Sequence, residues 1–174
     1  MKYVLATLAL VLVVSGCALR GGPASSNPPK TPSPAVISQI NIYQIVSAEV
    51  AASYTGDKVS IACNDFVAAV PVSSDIAEAD KFLGIWDLLR TYDAAPAQLS
   101  NPRKIQTDLT FYSYELQDKT LTVNLTGTLR LDGECDLSRL QETFAATYKQ
   151  LGVEQVIILV NGTALDKQAL PKNS

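Results

Sequence analysis

Five of the nine prolines fall between residues 23 and 34, and they divide this chain of 174 residues into a part that can fold and a part that cannot. Residues 18–35, ALRGGPASSNPPKTPSPA, hold too little apolar surface to build a core and favour extended, solvated backbone. One P-x-x-P spacing, Pro29 to Pro32, occurs there. In so proline-rich a stretch one such spacing is expected by chance, and the segment reads as a tether rather than a partner-binding motif. Folding is thereby confined to residues 36–170, long enough to bury a sizeable core, with 171–174 as a tail.

The segment before the tether is apolar. Lys2 is followed by Tyr3 to Val14, which is apolar or small apart from Thr7. A membrane-spanning helix needs about 20 such residues, so this run is too short to span and fits the core of a signal peptide. Val14-Ser15-Gly16-Cys17 then resembles the bacterial lipobox. That resemblance implies removal of residues 1–16 and acylation of Cys17 on its sulfur and new amino group by chains such as palmitate. Residues 17–35 would then be lipid anchor and tether. Each buried CH₂ adds about 0.8 kcal/mol, so two or more chains make a stable attachment. Residue 18 is Ala rather than the Asp that resembles an inner-membrane retention signal. The expected location is therefore extracytoplasmic, on the envelope membrane, and on the outer one in a cell that has two.

Within 36–170 the apolar periodicity alternates. INIYQIV (40–46) reads as a strand, and 59–72 as a second extended stretch interrupted at Asn64-Asp65. Asp75 and Glu78 have capping-box spacing, and Phe82, Ile85, Trp86 and Leu89 recur at helical intervals, predicting a helix over 76–92. Gly84 weakens that helix by about 1 kcal/mol relative to Ala. Residues 93–104 read as a loop. Ile105 to Leu116 and Thr120 to Leu125 form a hairpin about Gln117-Asp118-Lys119, and Leu121, Val123 and Leu125 mark its buried face. A second helix starts near Asp136 or Ser138, with Ser138 and Gln141 as a capping box. Its stripe is Leu137, Leu140, Phe144, Tyr148 and Leu151, and Gly152 stops it. Residues 153–160, VEQVIILV, make a last strand, apolar enough for burial on both faces, closed by Asn161-Gly162. The predicted architecture is α+β: a single small mixed sheet covered by two helices, in the order β–β–α–β–β–α–β.

Several segments resemble the GerM (sporulation and spore germination) domain of bacterial envelope lipoproteins. The strongest are LTVNLTG (121–127), the DGECD turn (132–136) and LQETFAATYKQLGVEQVIILVNGTAL (140–165). INIYQIV, IACNDFVAAVPV and the helix ending in IWDLL fit more loosely, and RTYDAAP replaces the glycine-proline that often follows that helix. The resemblance spans roughly residues 40–165. It implies a small domain without catalytic activity that helps assemble envelope complexes, so the expected partners are another envelope protein or a second copy. Peptidoglycan or another glycan is the alternative partner. Some lipoprotein members of that family carry one Cys in the second strand region and one before the last helix, as Cys63 and Cys135 do here. An oxidising compartment allows the two to bridge, closing a loop of 135 − 63 = 72 residues. Unbridged, they would pack as small apolar residues.

The chemistry available is narrow. There is no histidine, which removes Ser-His-Asp and Cys-His nucleophile systems and every His-containing zinc site. A net charge of −3 argues against a nucleic-acid partner. No P-loop, dinucleotide fingerprint, Ser-x-x-Lys or Cys-x-x-Cys occurs, so no cofactor is expected. Asp132, Glu134 and Asp136 could offer oxygens to Ca²⁺ but lack the EF-hand spacing, and read as a solvated turn at a helix start. Asp57, Asp65 and Glu115 are the scattered acids a carboxylate hydrolase would have to use. No catalytic or metal residue is assigned. Phe111-Tyr112-Ser113-Tyr114 stands apart, because adjacent aromatics on a strand face opposite sides. Tyr112 and Tyr114 are therefore the candidate binding surface.

Overall fold

The computed structural model describes residues 33–92, 97–106 and 108–168; the signal segment, Cys17 and most of the tether lie outside them. The chain from Ser33 onward forms one unit. Its strands are β1 (Val36–Val46), β2 (Val59–Ser60), β3 (Phe66–Ala77), β4 (Leu109–Gln117), β5 (Thr120–Gly127), β6 (Gln155–Val160) and β7 (Thr163–Ala164). Its helices are α1 (Lys81–Thr91) and α2 (Glu134–Lys149).

The domain is α+β with two helices, but the strands form two sheets rather than the single one expected. One sheet has the order β1-β3-β2 and is antiparallel throughout. The other has the order β4-β5-β6-β7, with β5 and β6 parallel and α2 as their crossover. The division follows from how the outer edge of β1 is closed. Gln150 just beyond α2 accepts the Asn41 N–H at 2.8 Å and returns a bond to the Asn41 carbonyl at 2.6 Å. Thr147 Oγ1 accepts the Tyr43 N–H, and Ile45 exchanges backbone bonds with Ser100. With those groups satisfied, β1 has no ladder left to offer the second sheet.

Local elements differ from expectation where a ladder outbids a local cap. β3 runs on to Ala77 because β1 supplies partners that far, Ile37 opposite Ile76 and Val36 opposite Ala77. Asp75 is thus a strand residue and caps nothing; α1 begins at Lys81, after a 3₁₀ turn over Glu78–Asp80. At α2 the helix starts a turn earlier than Ser138. Asp136 Oδ2 accepts the N–H groups of Asp132 and Gly133 at 2.7 and 2.9 Å, so the acidic turn itself is the cap. Gly152, at φ +85°, lies just beyond the end of α2.

Leu121, Val123 and Leu125 of β5 face the main core, with Ile40 and Ile42 of β1, the α1 residues Phe82, Ile85, Trp86 and Leu89, and the α2 residues Leu140, Phe144 and Tyr148. Gly84 lets α1 lie close on β3, since a Cβ there would sit 2.6 Å from Ile76 Cγ2. Burial of β6 is one-sided: Ile158 and Val160 are buried, while Ile157 and Leu159 are only partly covered. The both-face burial expected from its apolar run fails because α1 and α2 pack into the same core that takes up Ile158 and Val160.

Candidate functional site

β4 is the edge of the second sheet. Asp118 and Lys119 turn the chain with φ of 46° and 66°, a tight two-residue hairpin that fixes its register on β5. Phe111, Tyr114 and Leu116 stand opposite Leu125, Val123 and Leu121, on the face that leads into the core. The helices do not reach the end of that face. Tyr114 remains 40% exposed and Leu116 52% exposed, although their partners Val123 and Leu121 are buried. The register shifts between Phe111 and Ser113, which makes Tyr112 an extra, bulged residue, 75% exposed. The Tyr114 ring is steadied by Phe82 at 4.8 Å and Phe111 at 6.3 Å. Leu83 of α1 is also exposed and lines, with Trp86, Arg90, Thr110 and Phe111, a cleft of about 210 Å³ between α1 and β4.

Natural edges are usually short, charged or covered. Among the described strands β1 is closed by Gln150, Thr147 and Ser100; β3 is flanked by β2 only at Phe66 and Val67, and the rest of its outer side carries Pro71 and Asp75; β4 presents nine residues with one charge, Glu115, and no proline. Both tyrosines singled out from the sequence lie on this strand. Leu116 and Leu83 were not singled out: Leu83 lies off the apolar stripe of α1, and Leu116 shares the core-side face of Leu121 but lies beyond the reach of the helix layer.

Behind the cleft lies a residue that the sequence reading placed in a plain loop. The Arg103 side chain is fully buried, with its guanidinium 3.9 Å from the centre of the Trp86 ring. It donates to the carbonyls of Gln106 and Leu109. Burial, and then the nearby Arg90, push its pKa down to about 10. Within electrostatic reach of Arg103, the Tyr148 hydroxyl donates to the Phe82 carbonyl at 3.1 Å, and burial holds its pKa well above the ordinary tyrosine value.

Cys63 and Cys135 are bonded, with sulfur atoms 2.09 Å apart. The bridge ties the 3₁₀ turn before β3 (Ala62–Asn64) to the first turn of α2. One turn along α2, Arg139 binds Asp65 at 2.6 Å, and Asp65 also accepts the Ala48 N–H. Asp65 is 1% exposed and so committed, while Asp57 and Glu115 are exposed on separate elements. Among the described residues no group of three or more Cys, Asp or Glu is placed to hold a metal ion. A larger cleft of about 400 Å³ opens at the carboxyl ends of β5 and β6, walled by Thr128, Leu129, Leu131, Asn161 and Gln168, none of which is charged. No described helix is long and apolar enough to cross a membrane. The chain matches no family model, no curated protein and no solved structure.

Proposed function

We propose that this is a non-enzymatic, lipid-anchored envelope protein whose GerM-like domain assembles with protein partners through the free edge of β4. The observation that carries the reading is the nine-residue edge bearing exposed Tyr112, Tyr114 and Leu116 with one charge among them. An open backbone ladder flanked by apolar side chains is what strand addition requires. The lipobox-like Cys17 supports the anchor, which confines the domain to a surface where partners are concentrated. The absence of histidine, and the commitment of Asp65 and Asp136 to ties and caps, support a role without catalysis.

A photocrosslinking residue at Tyr112 of the full chain is expected to trap a species of defined mass in intact cells. The same probe at Lys149, exposed on α2, should not. Equal yields at the two positions would overturn the reading.

A second reading is favoured by the 75% exposure of the Tyr112 ring, a suitable stacking platform for a sugar. Co-sedimentation of the protein with purified sacculi, abolished by Tyr112→Ala, would establish a glycan-binding module instead. The assembly reading expects no co-sedimentation.

A further inference from the structure

We infer that the outer face of the second sheet binds an uncharged glycan chain laid along β5. The inference shares the Tyr112 ring with the second reading above but goes beyond it, naming a sheet face as the site and an uncharged sugar chain, rather than the sacculus, as the ligand.

Strand pairing defines the face. Leu121, Val123 and Leu125 turn one side of β5 into the core with both helices, so Thr120, Thr122, Asn124 and Thr126 line the other. Beside them stand Gln117, Glu115 and Ser113 of β4, and Ile157 and Leu159 of β6. The bulge leaves Tyr112 and Ser113 together opposite Asn124, so the exposed Tyr112 ring joins the same side. A depression of about 300 Å³ lies here among Glu115, Gln117, Thr120, Thr122 and Ile157, at the lower end of the range for ligand clefts. Among the described residues the Thr120, Thr122 and Thr126 hydroxyls bond no protein group. Asn124 uses only Nδ2, which donates to Ser113 at 3.1 Å, and its Oδ1 is left to accept.

Chemistry then selects the occupant. A sheet face that packs on another protein layer is apolar along its middle, and here the middle strand carries hydroxyls and an amide. An anionic polymer needs cations, and the paired residues on this side of β4, β5 and β6 include none; their one charge is Glu115. Peptidoglycan, whose stem peptides carry carboxylates, is a poor match for the same reason. An uncharged sugar chain fits: its hydroxyls donate and accept without charge, its C–H faces lie on Ile157 and Leu159, and a ring stacks on Tyr112. Thr120 and Thr126 are six residues apart, about 20 Å along the strand, so the occupant is a chain of several sugars rather than one.

Isothermal titration of the full chain in detergent with cellohexaose and with maltohexaose, both uncharged, tests this. At least one is expected to bind, and hexagalacturonate, with a carboxylate on each ring, is expected not to. Thr122→Val keeps the shape of the side chain and removes its hydroxyl, so it should weaken binding about threefold to tenfold, as should Asn124→Ala. Thr91→Val, on α1 across the core, should leave binding unchanged. No binding of either uncharged chain, or equal binding of hexagalacturonate, would overturn the inference. Binding lost in Tyr112→Ala yet kept in full by Thr122→Val and Asn124→Ala would overturn the sheet face and leave the Tyr112 platform standing. The face leaves the β4 edge open, so the assembly reading stands or falls by its own crosslinking result.

Discussion

Replacing Arg103 by alanine is expected to lower the unfolding free energy by about 3–5 kcal/mol, measured by urea or guanidinium denaturation. The estimate follows from opposing magnitudes. Keeping the guanidinium charged in its site costs about 3 kcal/mol, the equivalent of lowering its pKa from the ordinary arginine value to about 10. Two charge-assisted bonds, to Gln106 and Leu109, return roughly 1.5–3 kcal/mol each. Stacking on Trp86 adds up to about 2 kcal/mol. Alanine loses all of these gains, leaves a cavity against Trp86 and strands two carbonyls. Methionine keeps most of the volume and avoids the charge cost, so Arg103→Met should lose only about 1–2 kcal/mol. An Arg103→Ala protein within 1 kcal/mol of the parent would show that the site collapses freely or takes in water.

Alkaline pH provides a second handle on the same core. The folded pKa of Arg103 lies below its unfolded value, so the cost of its burial is present below about pH 10 and relieved above it. Tyr148 acts in the opposite sense. Its folded pKa is raised, so its contribution is intact below the ordinary tyrosine value near 10 and is lost as pH rises above it. Each group contributes one proton of opposite sign, so their effects should largely cancel just above pH 10, and net stability should fall only once the unfolded arginine also titrates. Tyr148→Phe should leave the Arg103 relief unopposed, so that it gains stability relative to the parent above about pH 10 while losing about 1 kcal/mol at neutral pH through the lost bond to Phe82.

The other large effect belongs to the disulfide. Reducing the Cys63–Cys135 bridge, or replacing both by serine, is expected to cost about 4 kcal/mol, because it frees a 72-residue loop in the unfolded chain. The native structure should change little, since Arg139 and Asp65 join the same two elements one helical turn away. Denaturation with and without reductant reads the energy, and circular dichroism below the transition reads the structure. Loss of secondary structure on reduction alone would mean that the ion pair does not hold the joint. Intact mass of the exported protein would report both the 2 Da loss at this pair and acylation at Cys17.

Much of the fold was legible from periodicity. The hairpin was visible because Leu121, Val123 and Leu125 alternate, and all three are buried; its turn, read over Gln117-Asp118-Lys119, is the two residues Asp118-Lys119, since Gln117 pairs with Thr120. The stripe of Leu140, Phe144 and Tyr148 marked α2 for the same reason, and that face is buried as well. The misplaced start of α1 has a plain cause: Asp75 and Glu78 satisfy a local rule, but the β1 ladder reaching Ala77 supplies more bonds than the cap would. The candidate site was half legible. Consecutive aromatics on a strand guarantee that one faces outward, and it is Tyr112. Leu116 carries no sign in the sequence that its face ends uncovered, Leu83 lies off the α1 stripe, and Arg103 looks like a loop cation.

Side-chain spacing alone specified an α+β domain with two helices and the long strands in their order, and the buried faces of β5 and α2. Those properties are local, set by side-chain spacing and by turn residues such as Asn161-Gly162. The tertiary arrangement was needed to show that there are two sheets, that Arg103 is interior, and that β4 has no second strand partner among the described strands. Each depends on groups far apart in the chain: Gln150 closing β1, Trp86 receiving Arg103, and helices that cover β5 but stop short of Tyr114 and Leu116. Hydrophobic spacing specifies which side of a strand seeks cover, and the reach of distant elements decides how much of it receives any.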